Sequence, residues 1–220
     1  MVERTGKTIK SELGFIHHFI PAAGKGNKSV TLLLLHGTGG NEQDLIPLGQ
    51  ELYPSAAILS PQGKVLEGGG MPRFFRRLVE GVFDIEDLKF RTHELADFVE
   101  KASRTYDFNL RNVISVGYSN GANMASSLLL LRPEVLSSAV LFRPMIPLTP
   151  EKIPNLKTKN IFMAAGERDP IVPREQTEML YRLFKKAGAN VSLGWQKNSG
   201  HGLGYDEISA AREWLSQLSL

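Results

Sequence analysis

The chain has 220 residues and a net charge of +3, with 42% hydrophobic and 22% charged residues. This composition is ordinary for a globular protein and argues against disorder, and the length suits one domain spanning residues 1–220. The 26 basic residues are scattered among 23 acidic ones, which argues against a nucleic-acid partner. The absence of cysteine excludes disulfides, thiolate metal sites and a cysteine nucleophile.

No segment of the sequence has the pattern of a secretory leader or a membrane span. Residues 1–11 are polar and charged, and the apolar runs at 31–35 and 128–131 are far shorter than the roughly 20 residues that cross a bilayer. Since the lack of cysteine also fits a reducing compartment, we expect a cytoplasmic protein without a membrane partner.

Strands and helices are predicted in alternation along the chain. The predicted strands are 15–20, 30–35, 56–59, 113–116, 138–142, 160–165 and 191–196. The predicted helices are 42–52 behind an Asn41 N-cap, 84–106, 122–131, 173–186 and 205–218. Residues 62–82 show no convincing period, and an irregular stretch of this length indicates a functional loop. The alternation predicts a doubly wound, mostly parallel α/β sheet with helices on both faces.

The motif Gly117-Tyr-Ser-Asn-Gly121 lies between a predicted strand and a predicted helix. This is the context that a nucleophile elbow requires, because a sharp turn there holds the serine hydroxyl clear of the sheet. Glycine two residues before and after the serine lets neighbouring backbone approach closely. Ser119 is therefore the candidate nucleophile, and the alternative is a serine that merely occupies a tight turn.

Asp169 and His201 also follow predicted strands, at the edge of a parallel sheet where ligands bind. The chain order Ser, Asp, His is the one expected of an α/β-hydrolase. In that chemistry His201 acts as general base and then general acid, and Asp169 orients its imidazole. Glu167 follows the same strand as Asp169 and is the rival carboxylate. Asp169 could also be a turn former, and His201 could have only a backbone role between two glycines.

The glycine-rich run His36-Gly-Thr-Gly-Gly40 follows the strand predicted at 30–35. Acyl transfer needs backbone amides that stabilise the negative charge developing on the carbonyl oxygen. We assign this oxyanion hole to the amides of Thr38 and Asn120, and we expect His36 to brace the loop. A phosphate-binding turn is the competing interpretation, but the run lacks both the P-loop ending and the dinucleotide spacing.

Four motifs carry a resemblance to a known family. They are Leu35-His-Gly-Thr-Gly-Gly-Asn-Glu-Gln-Asp-Leu45, Gly117-Tyr-Ser-Asn-Gly121, Gly166-Glu-Arg-Asp-Pro-Ile-Val-Pro173 and Gly200-His-Gly202. With them the chain resembles the phospholipase/carboxylesterase family of α/β-hydrolases, and most closely the small bacterial carboxylesterases of the hydroquinone- or catechol-linked hydrolase type. The resemblance implies a single α/β-hydrolase domain without a large lid, the triad and oxyanion hole given above, and the option of a homodimer. Related dienelactone hydrolases are similar in fold but use cysteine where Ser119 stands.

Loops at the catalytic edge supply candidate substrate contacts. The apolar candidates are Phe74, Phe75, Met145, Ile171 and Val172. They could form a slot for an acyl or aryl group, or they could simply pack the domain. The charged candidates are Arg73, Arg76 and Arg77. They could attract a carboxylated or phosphorylated substrate, or they could face solvent or pair with Glu80 and Asp84.

Together these features predict a serine carboxylesterase that acts on a small-molecule ester, with short-chain or aryl carboxylic esters as substrates and an acyl-enzyme on Ser119. An acyl-thioesterase or lysophospholipase of the same family is one alternative, because the same triad serves both reactions. A non-catalytic ligand receptor on this fold is another, which the presence of Ser, Asp and His together disfavours. No cluster of His and carboxylate residues has metal-ligand spacing, so neither a metal nor another cofactor is expected.

Overall fold

An eight-stranded sheet forms the centre of the computed structural model, which describes residues 7–10, 13–24 and 29–218. In spatial order its strands are β1 (Lys7–Lys10), β2 (Ile16–Ile20), β4 (Ala57–Pro61), β3 (Thr31–Leu35), β9 (Val113–Tyr118), β10 (Ser138–Phe142), β11 (Asn160–Gly166) and β12 (Asn190–Gln196). The pairings of β2 with β1 and with β4 are antiparallel, and the other pairings are parallel. The predicted mostly parallel sheet is confirmed.

Helices cover both faces of this sheet. They are α1 (Ile46–Leu52), α2 (Ile85–Tyr106), α3 (Asn120–Leu131), α4 (Arg174–Lys186) and α5 (Tyr205–Ser216). The aliphatic strand β3 shows how two layers are built: Leu33 and Leu35 belong to the core cluster that includes residues of α2, α3 and α4. Leu32 and Leu34 point the other way, into the cluster that includes residues of α1 and α5.

The first helix begins later than predicted. It starts at Ile46, with proline in its first turn, whereas the sequence predicted a helix over 42–52. A helix beginning at residue 42 would place Pro47 in its interior, where the missing N–H and the ring would break it. Asn41 does not cap α1; its Oδ1 accepts from the backbone N–H of Gln43 at 2.7 Å and closes a local turn.

The stretch 62–82, predicted to be irregular, contains two small antiparallel hairpins. Strands β5 (Val65–Glu67) and β6 (Met71–Arg73) form the first, and β7 (Arg77–Val79) and β8 (Val82–Phe83) form the second. Strands of two or three residues are too short to show a period, so the pattern could not reveal them.

The edge strand β1 was not predicted, because a short strand with lysine at both ends lacks an apolar signature. It falls in the polar segment 1–11, of which residues 1–6 and 11 lie outside the described residues. Within the described part of the chain, no helix has the length and apolarity needed to cross a membrane.

Candidate active site

Ser119 occupies a sharp turn between β9 and α3. Its backbone has φ 53° and ψ −114°, a conformation that a non-glycine residue adopts only under constraint. A Cβ at Gly121 would lie 1.9 Å from the carbonyl oxygen of Leu35, and one at Gly117 would lie 2.6 Å from that of Gly121. The two flanking glycines are therefore required by the close approach of backbone, as a nucleophile elbow demands.

Three side chains from separate loops meet beside this turn. His201 Nε2 lies 2.9 Å from Ser119 Oγ, and His201 Nδ1 lies 2.8 Å from Asp169 Oδ2. With the carboxylate ionised, Nδ1–H donates to Asp169 and Nε2 accepts the hydroxyl proton of Ser119. Asp169 Oδ1 accepts from the backbone amides of Ile171 and Val172 at 2.8 and 3.0 Å, so both carboxylate oxygens have partners. This arrangement can move a proton from the hydroxyl to the imidazole.

Sheet topology explains why these loops converge. Strands β9, β10, β11 and β12 are adjacent and parallel, so their carboxyl ends share one edge. Ser119 follows β9, Asp169 follows β11 and His201 follows β12. Of the two acids after β11, Asp169 contacts His201 with a side chain that is 2% exposed, whereas Glu167 is exposed.

Tyr118 packs beside the imidazole. Its hydroxyl donates to the backbone carbonyl of His201 at 3.1 Å, and the two rings lie 5.4 Å apart. Burial raises the pKa of the Tyr118 hydroxyl, so the group keeps the proton that it donates.

The residues assigned to the oxyanion hole, Thr38 and Asn120, both line the cavity that contains Ser119. Asn120 is the first residue of α3, so its backbone N–H has no carbonyl partner within the helix. The backbone N–H of Thr38 donates to no backbone carbonyl among the described residues. Neither amide is thus committed to a backbone carbonyl, as the oxyanion-hole assignment requires.

The first hairpin fixes both of these residues. Arg73 Nη1 donates to Thr38 Oγ1 at 2.8 Å, and the backbone N–H of Phe74 donates to Asn120 Oδ1 at 2.8 Å. The amide of Gly39 donates to the carbonyl of the residue before Arg73 at 2.9 Å. The stretch 62–82 thus supports the backbone around the candidate oxyanion hole.

A cavity of about 330 Å³ opens beside the serine hydroxyl. Three of the five predicted apolar contacts, Met145, Ile171 and Val172, line this cavity. Met145 and Val172 are buried in its wall, and Ile171 is 43% exposed at its rim. The wall beside the nucleophile is therefore apolar on the side of the loops that follow β10 and β11.

The prediction that Phe74 and Phe75 contact substrate is wrong. They are 3% and 0% exposed, belong to the hydrophobic core and do not line the cavity. The Phe74 ring packs 4.7 Å from that of His36, and the Phe75 ring packs 5.0 Å from that of Phe83. Phe83, on the second hairpin, lines the cavity instead.

Several residues that line the cavity were not predicted from the sequence to contact substrate. They are Met71, Glu80, Gly81, Phe83, Tyr118 and Asn123. Asn123 lies one helical turn after Asn120, so the i, i+3 spacing on α3 could have indicated it. Met71 and Phe83 lie on the short hairpin strands, where no periodic signal exists.

The three arginines of this region have acidic partners. Arg73 and Arg77 share Glu67, at 3.1 and 2.6 Å, and Arg76 pairs with Asp84 at 2.9 Å. The pairing predicted with Asp84 is confirmed for Arg76. Arg73 does not face solvent, since it is 3% exposed and lines the cavity.

His36 braces the glycine-rich loop, as expected. Its Nδ1 donates to the carbonyl of Gly37 at 2.7 Å, and its Nε2 accepts from the backbone N–H of Gly63 at 2.9 Å. Both ring nitrogens are thus occupied by backbone, which leaves none to act as a base. Across the described residues, no group of three or more His, Asp or Glu side chains could hold a metal ion.

Comparisons with known proteins identify relatives of this chain. The family model of the dienelactone hydrolase family matches residues 77–220. MhqD of Bacillus subtilis (strain 168), a protein named as a hydrolase, is 49% identical over 193 residues, which cover 88% of this chain and 96% of that protein.

Solved structures show the same similarity. A carboxylesterase from Bacillus cereus has a TM-score of 0.88 and 46% identity, covering 92% of this chain and 94% of that one. A carboxylesterase from Mesorhizobium loti has a TM-score of 0.86 and 29% identity, covering 97% and 99%. The resemblance to small bacterial carboxylesterases is confirmed.

Proposed function

Because the chain belongs to the dienelactone hydrolase family and is an ester hydrolase, we propose that it is a serine carboxylesterase that cleaves short-chain or aryl carboxylic esters. In this member of the family serine stands at position 119, where the dienelactone hydrolases themselves use cysteine. Ser119 is the nucleophile, His201 the general base and then acid, and Asp169 the residue that orients the imidazole. The observation that carries this proposal is the continuous set of hydrogen bonds from Ser119 Oγ through His201 to Asp169, at 2.9 and 2.8 Å.

The reaction proceeds in two halves. His201 Nε2 removes the hydroxyl proton as Ser119 Oγ attacks the ester carbonyl, and the amides of Thr38 and Asn120 stabilise the resulting oxyanion. The imidazolium then protonates the departing alcohol, leaving an acyl-enzyme on Ser119. A water molecule deprotonated by His201 attacks the acyl group, and the carboxylic acid leaves as the proton returns to Ser119.

The size of the cavity supports small substrates. About 330 Å³ lies at the low end of the roughly 300–1,000 Å³ typical of ligand pockets. Its apolar wall at Met145 and Val172 suits a short acyl chain or an aromatic ring. A cavity of this size favours short acyl groups over the long acyl chain of a lysophospholipid, and a short thioester fits the same chemistry.

The test combines a probe, a variant and a substrate panel. A fluorophosphonate should label the wild-type protein once per chain, at Ser119, and Ser119→Ala should abolish labelling and lower kcat by a factor on the order of 10⁴ or more. Ser216→Ala, at an exposed helix position, is the matched control and should retain labelling and turnover. Wild-type turnover in the Ser119→Ala variant would refute the proposal, and failure to label wild type would favour a receptor.

The substrate panel uses nitrophenyl esters from acetyl to palmitoyl, phenyl acetate and a matched acyl-thioester. We expect kcat/KM to be highest for the short acyl and aryl esters. A maximum at long acyl chains would point to a lysophospholipase, and preference for the thioester over its oxygen ester would point to a thioesterase.

A further inference from the structure

Arg143 is the largest side chain that is completely buried in the described part of the structure, with 0% exposure. It follows β10 directly, at the same edge of the sheet as the triad, and its backbone has φ 56°. Its backbone N–H donates to the carbonyl of Ala164 on β11 at 2.8 Å. A buried guanidinium is costly unless its donors are paired, so its partners indicate why it is there.

Those partners lie on the loop that carries His201. Arg143 Nε donates to the carbonyl of Gly200 at 2.9 Å, and Nη2 donates to Ser199 Oγ at 3.0 Å and to the carbonyl of Gly202. Since Tyr118 holds the carbonyl of His201 itself, each of the three consecutive carbonyls 200–202 accepts a side-chain hydrogen bond. The backbone on both sides of the imidazole is thereby fixed.

Glu207 holds the guanidinium in place. It is also 0% exposed, and its two carboxylate oxygens accept from Nη1 and Nη2 of Arg143 in a bidentate pair. Glu207 Oε1 accepts in addition from the backbone N–H of Gly204 at 2.6 Å, where α5 begins. The pair therefore joins the end of β10, the His201 loop and the start of α5.

The same guanidinium lies beside the carboxylate of the triad. Arg143 Nε is 4.0 Å from Asp169 Oδ2, the oxygen that accepts from His201 Nδ1. Arg143 and Glu207 do not line the cavity, so neither contacts a substrate held there.

We propose that Arg143, held by Glu207, is a positioning residue of the hydrolase: it fixes the loop 199–202 so that the imidazole of His201 bridges Asp169 and Ser119. This inference rests on the proposed function. A buried ion pair can often be replaced by apolar residues of similar volume without loss of stability. Apolar residues cannot donate hydrogen bonds to the carbonyls of Gly200 and Gly202. Only the planar guanidinium of arginine supplies several N–H donors in this fixed arrangement.

The inference predicts a defect confined to the chemical step. In the double variant Arg143→Met/Glu207→Leu, which removes both buried charges together, we expect kcat to fall by roughly 100-fold while KM stays within about twofold, because a small displacement of a catalytic group is costly. Arg143→Lys keeps the charge but not the fork, and we expect a similar loss. Arg132→Met, which removes another multiply paired arginine at the end of α3 remote from Ser119, is the control and should retain wild-type kcat.

A double-mutant cycle separates positioning from a general structural effect. In a His201→Ala background, which retains only residual turnover, the Arg143→Met/Glu207→Leu change should have no further effect, because the pair acts through His201. A further loss in that background, or wild-type kcat in the double variant or in Arg143→Lys, would overturn the inference. Full turnover in Ser119→Ala and His201→Ala would instead refute the proposed function itself, so the two failures are distinguishable.

Discussion

His36 Nε2 accepts a hydrogen bond from the backbone N–H of Gly63 at 2.9 Å, which ties the loop after β3 to the segment after β4. Burial lowers the pKa of His36 from its ordinary value of 6.5. Protonation of Nε2 would also place its N–H against the N–H of Gly63, with no acceptor between them. His17 is similar: burial lowers its pKa, and its two ring nitrogens contact the carbonyl of Phe15 and the hydroxyl of Tyr106. The fold therefore favours the neutral form of both histidines.

The lowered pKa values of His36 and His17 predict that the protein loses stability in mild acid. As the pH falls below about 6.5, histidines in the unfolded chain become protonated, whereas the buried histidines of the folded protein stay neutral. The free energy of unfolding therefore falls with pH. The slope should reach at most about 1.4 kcal/mol per pH unit for His36. Urea unfolding between pH 7.5 and 5.5 measures it, and His36→Gln, which keeps an acceptor for Gly63, should flatten the slope. His93→Gln, at an exposed position, is the control; an unchanged slope in His36→Gln would contradict the assignment.

The choice between the two acids after β11 is open to a direct test. Asp169→Asn keeps the size of the side chain but removes the acceptor that fixes the Nδ1–H tautomer of His201. We expect kcat to fall by a factor on the order of 10⁴, the effect known for such a change in another serine hydrolase. Glu167→Gln is the matched control, since its exposed side chain does not contact the imidazole. The opposite ranking of the two variants would assign the orienting role to Glu167.

Much of this architecture could be predicted from local patterns. Aliphatic runs such as β3 mark buried strands, and Gly117 and Gly121 mark the elbow. The meeting of Ser119, Asp169 and His201 could also be predicted, because each follows a strand of one parallel sheet and such strands share a catalytic edge.

What could not be predicted depends on contacts between distant segments. Phe74 and Phe75 lie in a loop at the catalytic edge, yet their rings belong to the core, and Asn120 on α3 holds the backbone N–H of Phe74. The burial of Arg143 cannot be seen in the sequence either, since Gly200 and Glu207, which accept from its guanidinium, lie more than fifty residues further along the chain. The start of α1 is different: Pro47 was a local signal, and it outweighs the Asn41 capping pattern.

The elbow glycine Gly121 should tolerate no side chain. A Cβ there would lie 1.9 Å from the carbonyl oxygen of Leu35 and 2.7 Å from that of His36, and both are backbone atoms that cannot rotate away. We expect Gly121→Ala to lower the free energy of unfolding by more than about 4 kcal/mol, as measured by urea denaturation. Gly68→Ala is the matched control, because a Cβ there meets nothing within 4 Å, and its effect should stay within about 0.5 kcal/mol. Equal stability of the two variants would show that the turn can open.

Met145 should set the length of acyl chain that the cavity accepts. Its side chain is 7% exposed in the cavity wall, while its backbone N–H is held independently by Asn123 Oδ1 at 3.0 Å. Met145→Ala therefore enlarges the cavity without releasing the loop.

We expect the ratio of kcat/KM for a hexanoyl ester to that for an acetyl ester to rise by about 10-fold or more, because each extra methylene group gains roughly 1–3 kcal/mol in a fitting apolar pocket. Leu78→Ala, at a position 65% exposed and outside the cavity wall, should leave the ratio unchanged. Thermal melting checks that Met145→Ala remains folded at the assay temperature, since truncating a buried methionine costs about 2–5 kcal/mol. An unchanged ratio in a folded Met145→Ala protein would place the acyl chain elsewhere, against the wall formed by the two hairpins.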